Sequence, residues 1–185
     1  MISTNDMRPG QTLDVDGNLF TIVDYQHVKP GKGQAFVKTK LRNVKSGAVL
    51  DRTFRADEKV NLAVLDKREM QFLYPDQAGL VFMDQETYEQ VHVDEDLLGT
   101  SRDFLKDGTV CIVSVYDGTP VAAEMPPMVV LEVTEAEPGV KGDRVSGALK
   151  PATVETGAVV QVPLFVEKGD KIKVDTRSGE YSSRA

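Results

Sequence analysis

Few residues in this sequence have the type and spacing to do chemistry, and the most conspicuous is one lysine between two glycines. In the stretch VKPGKGQAF, Lys32 stands between Gly31 and Gly33 and follows Pro30. Proline stiffens one arm of a turn, and glycine permits the positive φ angles that a tight tip needs. The pattern predicts an exposed cation on a stem that can reach into a groove. A structural turn carrying a solvated lysine fits the same residues.

The other reactive side chains do not form a catalytic or metal-binding pattern. Neither His27 nor His92 has cysteines or carboxylates near it at metal-ligand spacing. Gln34 follows Gly33 where a phosphate-binding loop would continue with Lys and Ser or Thr. Cys111, the one cysteine, is expected to be a small core residue. We therefore expect no cofactor, no metal and no enzymatic activity.

The composition is that of an ordinary globular protein. Of the 185 residues, 41% are hydrophobic and 28% charged. No apolar run approaches the roughly 18 residues that a membrane span needs, and the first ten residues lack the features of a signal peptide. A single cysteine fits a reducing compartment. We expect a cytoplasmic protein of one to three domains with no membrane partner.

The net charge of −7 is unevenly distributed along the chain. Residues 1–63 carry 10 basic and 7 acidic side chains, residues 64–126 carry 4 and 13, and residues 127–185 carry 8 and 9. Within residues 29–59 the count is nine basic to three acidic. Because a phosphate backbone responds to the local field, both ends could meet nucleic acid. A solvated charged face fits the same counts.

The elements that must position Lys32 are predicted to be strands. Asp16-Gly17, between two strand-like runs, is a strong hairpin signal. From Ala35 onward apolar and basic residues alternate, which predicts a strand with one buried and one basic face. Ser46-Gly47 marks the next turn. The exposed face of this strand would carry Phe36, Lys38, Lys40 and Arg42.

Short strands separated by turn residues continue to the end of the chain. The stretch DEDLLGTSRDFL is predicted to be one short helix, with Asp94 or Asp96 near its start. Pro126-Pro127 marks a boundary, because proline does not sit in a central strand. The fold class predicted is all-β, with three small β-barrel domains at residues 1–63, 64–126 and 127–185.

Long strings of this sequence resemble bacterial translation elongation factor P. They include VKPGKGQAFVKTKLRN, QFLYPD, VFMDQETYEQ, EPGVKGD, KPATVETGAVVQVPLFV and VDTRSGEYSSRA. The resemblance runs in order along the whole chain without a large gap.

The resemblance implies a fold and a partner. The family has an SH3-like (KOW-type) domain followed by two OB-folds, in an elongated L-shaped arrangement like a tRNA. Its members bind the 70S ribosome between the P and E sites and stimulate peptide-bond formation when synthesis stalls on consecutive prolines. A monomer that contacts P-site peptidyl-tRNA is implied, as is a possible contact with the E-site mRNA codon.

The resemblance also assigns roles to individual residues. Lys32 would be the modification site, the target of a possible modifying enzyme, and the contact to the tRNA acceptor end. Pro30, Gly31 and Gly33 would shape its loop. The family's Gly-Asp-Thr loop on the mRNA side matches Gly142, Asp143 and Arg144, with arginine in place of threonine and with Lys141 and Lys150 making the loop basic. RNA contacts are implied for Lys29, Lys38, Lys40, Arg42, Tyr181 and Arg184.

Two other functions are weighed against this interpretation. OB-type barrels could serve a generic single-stranded nucleic-acid binder that stacks bases on aromatic side chains. Against it, aromatic residues are 6% of the chain, tryptophan is absent and the middle third is acidic. An enzyme is the second alternative, and the residues show no catalytic constellation for it.

Overall fold

The chain is built almost entirely of β-strands, which form three sheets. A computed structural model describes residues 1–139 and 147–185. In these residues the helices are short 3-10 turns. No helix in the described part of the chain is long and apolar enough to cross a membrane. The predicted all-β class is confirmed.

The first sheet has six strands in the order β1-β6-β2-β3-β4-β5. Asp16 and Gly17 join β2 to β3 with φ angles of 54° and 81°, so the predicted hairpin is confirmed. The inward side chains form a core around Leu13, Ile22 and Leu41. The strands are β1 (Ile2–Ser3), β2 (Thr12–Val15), β3 (Asn18–Val28), β4 (Phe36–Asn43), β5 (Val49–Arg55) and β6 (Lys59–Ala63).

Strand β4 shows the alternation that its sequence predicts. Val37 and Leu41 are fully buried, while Lys38, Lys40 and Arg42 are exposed on the opposite face. Successive side chains of a strand point to opposite sides, so a period of two separates apolar from basic residues. The strand therefore anchors one face in the core and presents the other to solvent.

The second sheet has the order β11-β10-β7-β8-β9. The rings of Phe72 and Phe82 pack in its core with centroids 5.4 Å apart. Cys111 is buried, as predicted, and burial raises the pKa of its thiol to about 11. The strands are β7 (Asp66–Asp76), β8 (Gly79–Asp84), β9 (Gln90–Val93), β10 (Val110–Tyr116) and β11 (Thr119–Glu124).

The single helix predicted after β9 is wrong. Two 3-10 helices, Glu95–Leu97 and Gly99–Phe104, occupy the stretch. Gly99 adopts a φ of 59°, which a continuous right-handed helix does not allow. The side chain of Asp94 accepts a hydrogen bond from the backbone N–H of Asp96, so an acidic residue does cap the start.

The third sheet has the order β14-β13-β12-β15-β16. Its core is rich in valine and is joined by Phe104, from the 3-10 helix between β9 and β10 of the second sheet. The strands are β12 (Met128–Ala136), β13 (Leu149–Val154), β14 (Val159–Pro163), β15 (Lys171–Asp175) and β16 (Tyr181–Arg184).

Contacts between residues divide the chain into two compact units. One comprises residues 1–67 and 114–122, and the other comprises residues 68–113 and 123–185. The second unit thus contains most of the second sheet and all of the third sheet. The domain boundaries predicted at residues 63/64 and 126/127 stay predictions.

Candidate nucleic-acid interface

Lys32 lies at the tip of a seven-residue loop between β3 and β4. The last cross-strand pair before the loop is Val28 with Phe36, so the loop spans residues 29–35. Lys32 is exposed and makes no hydrogen bond or ion pair to any residue that the structure describes. Lys32 lies four residues after Val28, so a fully extended chain would place its Cα at most about 14 Å from that of Val28. The loop therefore presents the Lys32 ammonium group to solvent.

The two glycines beside Lys32 differ in conformation. Gly33 has a φ of 113°, a region that L-residues rarely adopt. Gly31 lies outside that region, and a Cβ built on it would meet nothing within 4 Å. The expectation of a positive φ is therefore correct for Gly33 and wrong for Gly31. The Cγ of Pro30 lies 3.8 Å from a Cβ built on Gly33.

The outer face of β4 carries three of the predicted RNA-binding side chains side by side. Lys38, Lys40 and Arg42 occupy alternate positions of the strand and are all exposed. The Lys38 ammonium lies 5.8 Å from the centroid of the Phe36 ring, within the range of a cation–π contact. Lys29 differs, since it is exposed in the loop after β3 ends at Val28 and does not share this face.

Carboxylates accompany the lysines on this face. In the strand register Lys40 pairs with Asp24 of β3 on one side and with Asp51 of β5 on the other. Lys38 pairs with Gln26 and Thr53. These side chains line a shallow open depression across the three strands. The face is thus less basic than the β4 sequence alone predicts, because Lys40 lies beside two carboxylates, whereas Lys38 and Arg42 pair with no acidic residue.

Tyr181 and Arg184 of β16 both pair with buried residues of β15 in the strand register. Tyr181 pairs with the buried Val174 and packs against the third-sheet core, and Arg184 pairs with the buried Ile172. The register shifts between Lys173 and Val174 of β15, which pair with Ser183 and Tyr181, so Ser182 of β16 is the extra residue of a bulge that lets both side chains face the same side. Tyr181 is half-buried, so only part of its side chain is open to a partner.

Arg184 is held in place by three contacts. Its Nη2 donates to the carbonyl oxygen of Phe165 at 3.0 Å and to Oδ2 of Asp170 at 3.2 Å. Its guanidinium carbon lies 4.8 Å from the centroid of the Phe165 ring. Asp170 also accepts a hydrogen bond from the backbone N–H of Glu167. The arginine is therefore pre-oriented at the surface and not simply solvated.

The predicted mRNA-side loop lies outside the described residues. This applies to Gly142, Asp143 and Arg144 and also to Lys141. Lys150, expected to add surface charge beside this loop, is only 6% exposed and donates from Nζ to the carbonyl oxygen of Glu137 at 2.5 Å. Lys150 occupies an inward position of β13, so its expected part in a basic surface is wrong.

Phe165 and Asp170 are partners of Arg184 that the sequence analysis missed. The signal for Phe165 was present, because Val160, Val162 and Val166 form a period of two in which residue 165 points outward. No comparable signal identifies Asp170, since its contact with Arg184 spans 14 residues across a loop.

The histidines carry no metal site in the described part of the chain. There, no three metal-ligating side chains come together. His27 and His92 are both exposed, and His92 Nε2 lies 2.6 Å from Oδ2 of Asp76. The hydrogen bond from His92 lowers the pKa of the Asp76 carboxyl, helped by the backbone N–H of Ala78. This pair is a surface contact of the second sheet.

Three family models match successive parts of the chain. The elongation factor P KOW-like domain matches residues 3–60, the elongation factor P OB domain matches residues 65–123, and the elongation factor P C-terminal domain matches residues 129–184. Each match covers the strands of one sheet, and the first two descriptions agree with the predicted KOW-type fold and with an OB-fold in the second domain.

Curated relatives match over essentially the whole chain. Elongation factor P of Acidothermus cellulolyticus is 52% identical over 185 residues, which is 100% of this chain and 99% of that protein. Elongation factor P of Beutenbergia cavernae is 54% identical over 184 residues, with 100% and 99% covered. Among solved structures, a translation initiation factor eIF-5A family protein from Naegleria fowleri superposes with a TM-score of 0.51 at 14% identity, covering 67% of this chain and 96% of that one. The chain belongs to the elongation factor P family of translation elongation factors.

Proposed function

We propose that this protein binds the 70S ribosome between the P and E sites, contacts P-site peptidyl-tRNA and stimulates peptide-bond formation at consecutive prolines. The observation that carries the proposal is Lys32, an exposed cation without a described partner at the tip of a loop. Membership of the elongation factor P family supports the same function. The protein would act in the cytoplasm as a monomer, with no cofactor and no chemical step of its own.

The physical role of the loop is to position the tRNA. Proline is a stiff and poor nucleophile, so slow peptide transfer is partly a problem of geometry. A factor that holds the acceptor end of the tRNA in a reacting arrangement lowers the entropic part of the barrier. Lowering the barrier by about 3–4 kcal/mol in this way increases the rate a few-hundredfold. A lysine on a thin loop can follow a phosphate backbone into a groove, and a modification that lengthens Lys32 would extend its reach.

The remaining predicted contacts take supporting parts. Lys29, Lys38, Lys40 and Arg42 would meet tRNA or ribosomal RNA near the loop, and Tyr181 and Arg184 would do so on the third sheet. Gly142, Asp143 and Arg144 would lie on the mRNA side, where the planar donors of arginine favour a phosphate or stacking contact that depends little on sequence. Pro30, Gly31 and Gly33 would hold the loop in shape.

The test is the substitution Lys32→Ala, compared with Lys45→Ala in the exposed turn after β4. An exposed tip contributes almost nothing to a core, so both variants should keep their stability within about 0.5 kcal/mol. Synthesis of a Pro-Pro-Pro reporter should fall to the level without factor for Lys32→Ala only. Reporter synthesis at the wild-type rate with Lys32→Ala would contradict the proposal.

Two further measurements separate the alternatives. Co-sedimentation with ribosomes that carry peptidyl-tRNA supports the factor, whereas equally tight binding to free oligonucleotides would support a generic single-strand binder. The intact mass of the protein from its native host shows whether Lys32 is extended and by what group.

A further inference from the structure

Phe165 is an exposed aromatic ring in the turn that follows β14. Its side chain is 56% exposed, whereas the neighbouring Val166 is fully buried. The core therefore anchors the turn through Val166 and leaves the Phe165 ring outside. An exposed phenylalanine contributes little to folding and presents apolar area to solvent.

The guanidinium group of Arg184 covers part of this ring. Its carbon lies 4.8 Å from the ring centroid, and Nη2 is engaged by the carbonyl oxygen of Phe165 and the carboxylate of Asp170. The Nε and Nη1 groups make no hydrogen bond to a described residue. The arrangement combines a flat apolar surface with N–H donors of fixed direction.

These groups match the two parts of an unpaired nucleotide. A base stacks on an aromatic ring, and phosphate oxygens accept hydrogen bonds from a guanidinium group. Lys168 and Lys171 are exposed in the same segment, and with Arg184 they outnumber the acidic Glu167 and Asp170 there by three to two. We propose that Phe165 is a stacking site for an unpaired base of ribosomal RNA or tRNA, with Arg184 contacting the adjoining phosphate. This inference rests on the proposed function, because the ribosome supplies the RNA.

The experiment compares Phe165→Leu, which removes the ring but keeps apolar volume, with Phe165→Tyr, which keeps the ring. Each variant is titrated onto 70S ribosomes stalled with a peptidyl-tRNA that ends in proline, over a range of salt concentrations. Phe165→Leu should weaken binding roughly tenfold, as loss of one stacked base predicts, whereas Phe165→Tyr should stay within about threefold of wild type. The salt dependence should be unchanged in both, because no charge is lost.

Chemical modification of RNA bases identifies the partner of the ring. At saturating protein, one unpaired base should be protected by the wild type and by Phe165→Tyr and become reactive with Phe165→Leu. Arg184→Gln should lower the log–log salt slope by roughly 0.7 to 0.9, as expected for one phosphate contact. Tyr74→Leu is the matched control, since Tyr74 is 50% exposed and should bind like the wild type after substitution.

Three outcomes would overturn the inference. Wild-type affinity of Phe165→Leu means that the ring touches nothing on the ribosome. Weaker binding of Phe165→Leu with no base becoming reactive means that the ring contacts a ribosomal protein. Equally weakened ribosome binding in Phe165→Leu and Phe165→Tyr means that the ring is not used for stacking. If the wild type itself binds no ribosome, the proposed function fails and this inference fails with it.

Discussion

At the scale of single residues, the conformation of Gly33 matters more than that of Gly31. Gly33 has a φ of 113°, and Gly31 lies outside the positive region with open space around its Cα. An L-residue held in a left-handed conformation costs about 1–2 kcal/mol, enough to reduce the population of the native tip roughly 5- to 30-fold. Both positions are glycines beside Lys32 and differ in backbone conformation, so a substitution at Gly31 is a control for the same substitution at Gly33.

We therefore expect Gly33→Ala to impair polyproline synthesis at least fivefold and Gly31→Ala to stay within about twofold of wild type. Neither change should shift the melting temperature by more than a few degrees, because the loop is not packed. Synthesis of a Pro-Pro-Pro reporter at limiting factor concentration measures the effect. Equal activity of the two variants would show that the conformation of Gly33 is not needed.

Asp84 is a buried carboxylate whose charge is satisfied locally. Its Oδ2 lies 2.9 Å from Nη1 of Arg68, and its Oδ1 accepts hydrogen bonds from the backbone N–H groups of Glu86 and Thr87. The hydrogen bond from Arg68, followed by these two, lowers the pKa of Asp84 from its usual value of 3.8. At a pH between the pKa of Asp84 in the folded protein and its higher pKa in the unfolded chain, the unfolded chain binds more protons than the folded protein does. The stability that ionised Asp84 contributes is therefore fully present above the pKa of Asp84 in the unfolded chain. It is lost as the pH falls through the lower pKa of Asp84 in the folded protein.

Asp84→Asn should lower stability at pH 7 and weaken the loss of stability between about pH 5 and pH 2. Urea unfolding at a series of pH values measures this slope. Glu180→Gln, at an exposed position, is the control and should keep the wild-type slope. A wild-type acid slope in Asp84→Asn would mean that other carboxylates cause the acid sensitivity.

At the scale of secondary-structure elements, a 3-10 helix between β9 and β10 of the second sheet contributes to the core of the third sheet. Phe104, at the end of this helix, is 8% exposed and belongs to the third-sheet core. Thr156 donates from Oγ1 to the carbonyl oxygen of Asp103 at 2.6 Å. Glu155 accepts hydrogen bonds from the backbone N–H of Glu132 and from Nζ of Lys106. These contacts join the helix to the third sheet.

Phe104→Ala should lower the free energy of unfolding by about 3 kcal/mol, because it leaves a cavity in the third-sheet core. Phe104→Leu keeps most of the volume and should cost about 1 kcal/mol. Tyr74→Ala removes a ring that is half-exposed, so it should lower the free energy of unfolding by less than either Phe104 variant does. Chemical denaturation monitored by circular dichroism measures all three, and a Phe104→Ala variant as stable as Phe104→Leu would contradict the packing role.

The site of Gly179 supports the same interpretation of Phe104. A Cβ built on Gly179 would lie 3.2 Å from Cζ of Phe104, and the backbone there has a φ of 75°. Glycine thus meets two needs at one position, the close approach of the ring and the left-handed turn between β15 and β16.

At the scale of the whole molecule, the distribution of charge matters more than its sum. The net charge is −7, yet the chain carries an excess of basic residues in 29–59. Binding to an RNA surface is salt-dependent because each phosphate contact releases a counterion. An acidic protein can therefore bind RNA with a clear salt dependence if its cations are gathered on one face.

Replacing Lys38 and Lys40 together by glutamine should reduce the log–log salt slope of ribosome binding by roughly 1.4 to 1.8, as expected for two phosphate contacts. Co-sedimentation at several salt concentrations measures the slope. The pair Glu86→Gln and Glu89→Gln, both exposed in the acidic middle of the chain, is the control and should leave the slope unchanged. A reduction near half the expected value would mean that Lys40 is neutralised by Asp24 and Asp51, which lie beside it in the register.

Local features of the fold could be predicted from the sequence. The hairpin at Asp16-Gly17, the two faces of β4 and the burial of Cys111 each depend on residues close together in the chain. A period of two and a turn dipeptide report such local geometry directly. The position of Lys32 at a loop tip followed from the same reasoning, since glycine and proline mark turns.

Contacts between distant segments were decided by the tertiary structure alone. Phe104 joins the core of another sheet, Lys150 turns inward toward the carbonyl of Glu137, and Arg184 of β16 lies over the ring of Phe165. The outcomes for Lys150 and Arg184 depend on strand register, since a shift of one residue would reverse which side chains are buried. The outcome for Phe104 depends on how its 3-10 helix packs against the third sheet. Composition and spacing specify the faces of each strand, but which strands meet, and at which residues, is settled only when the sheets pack.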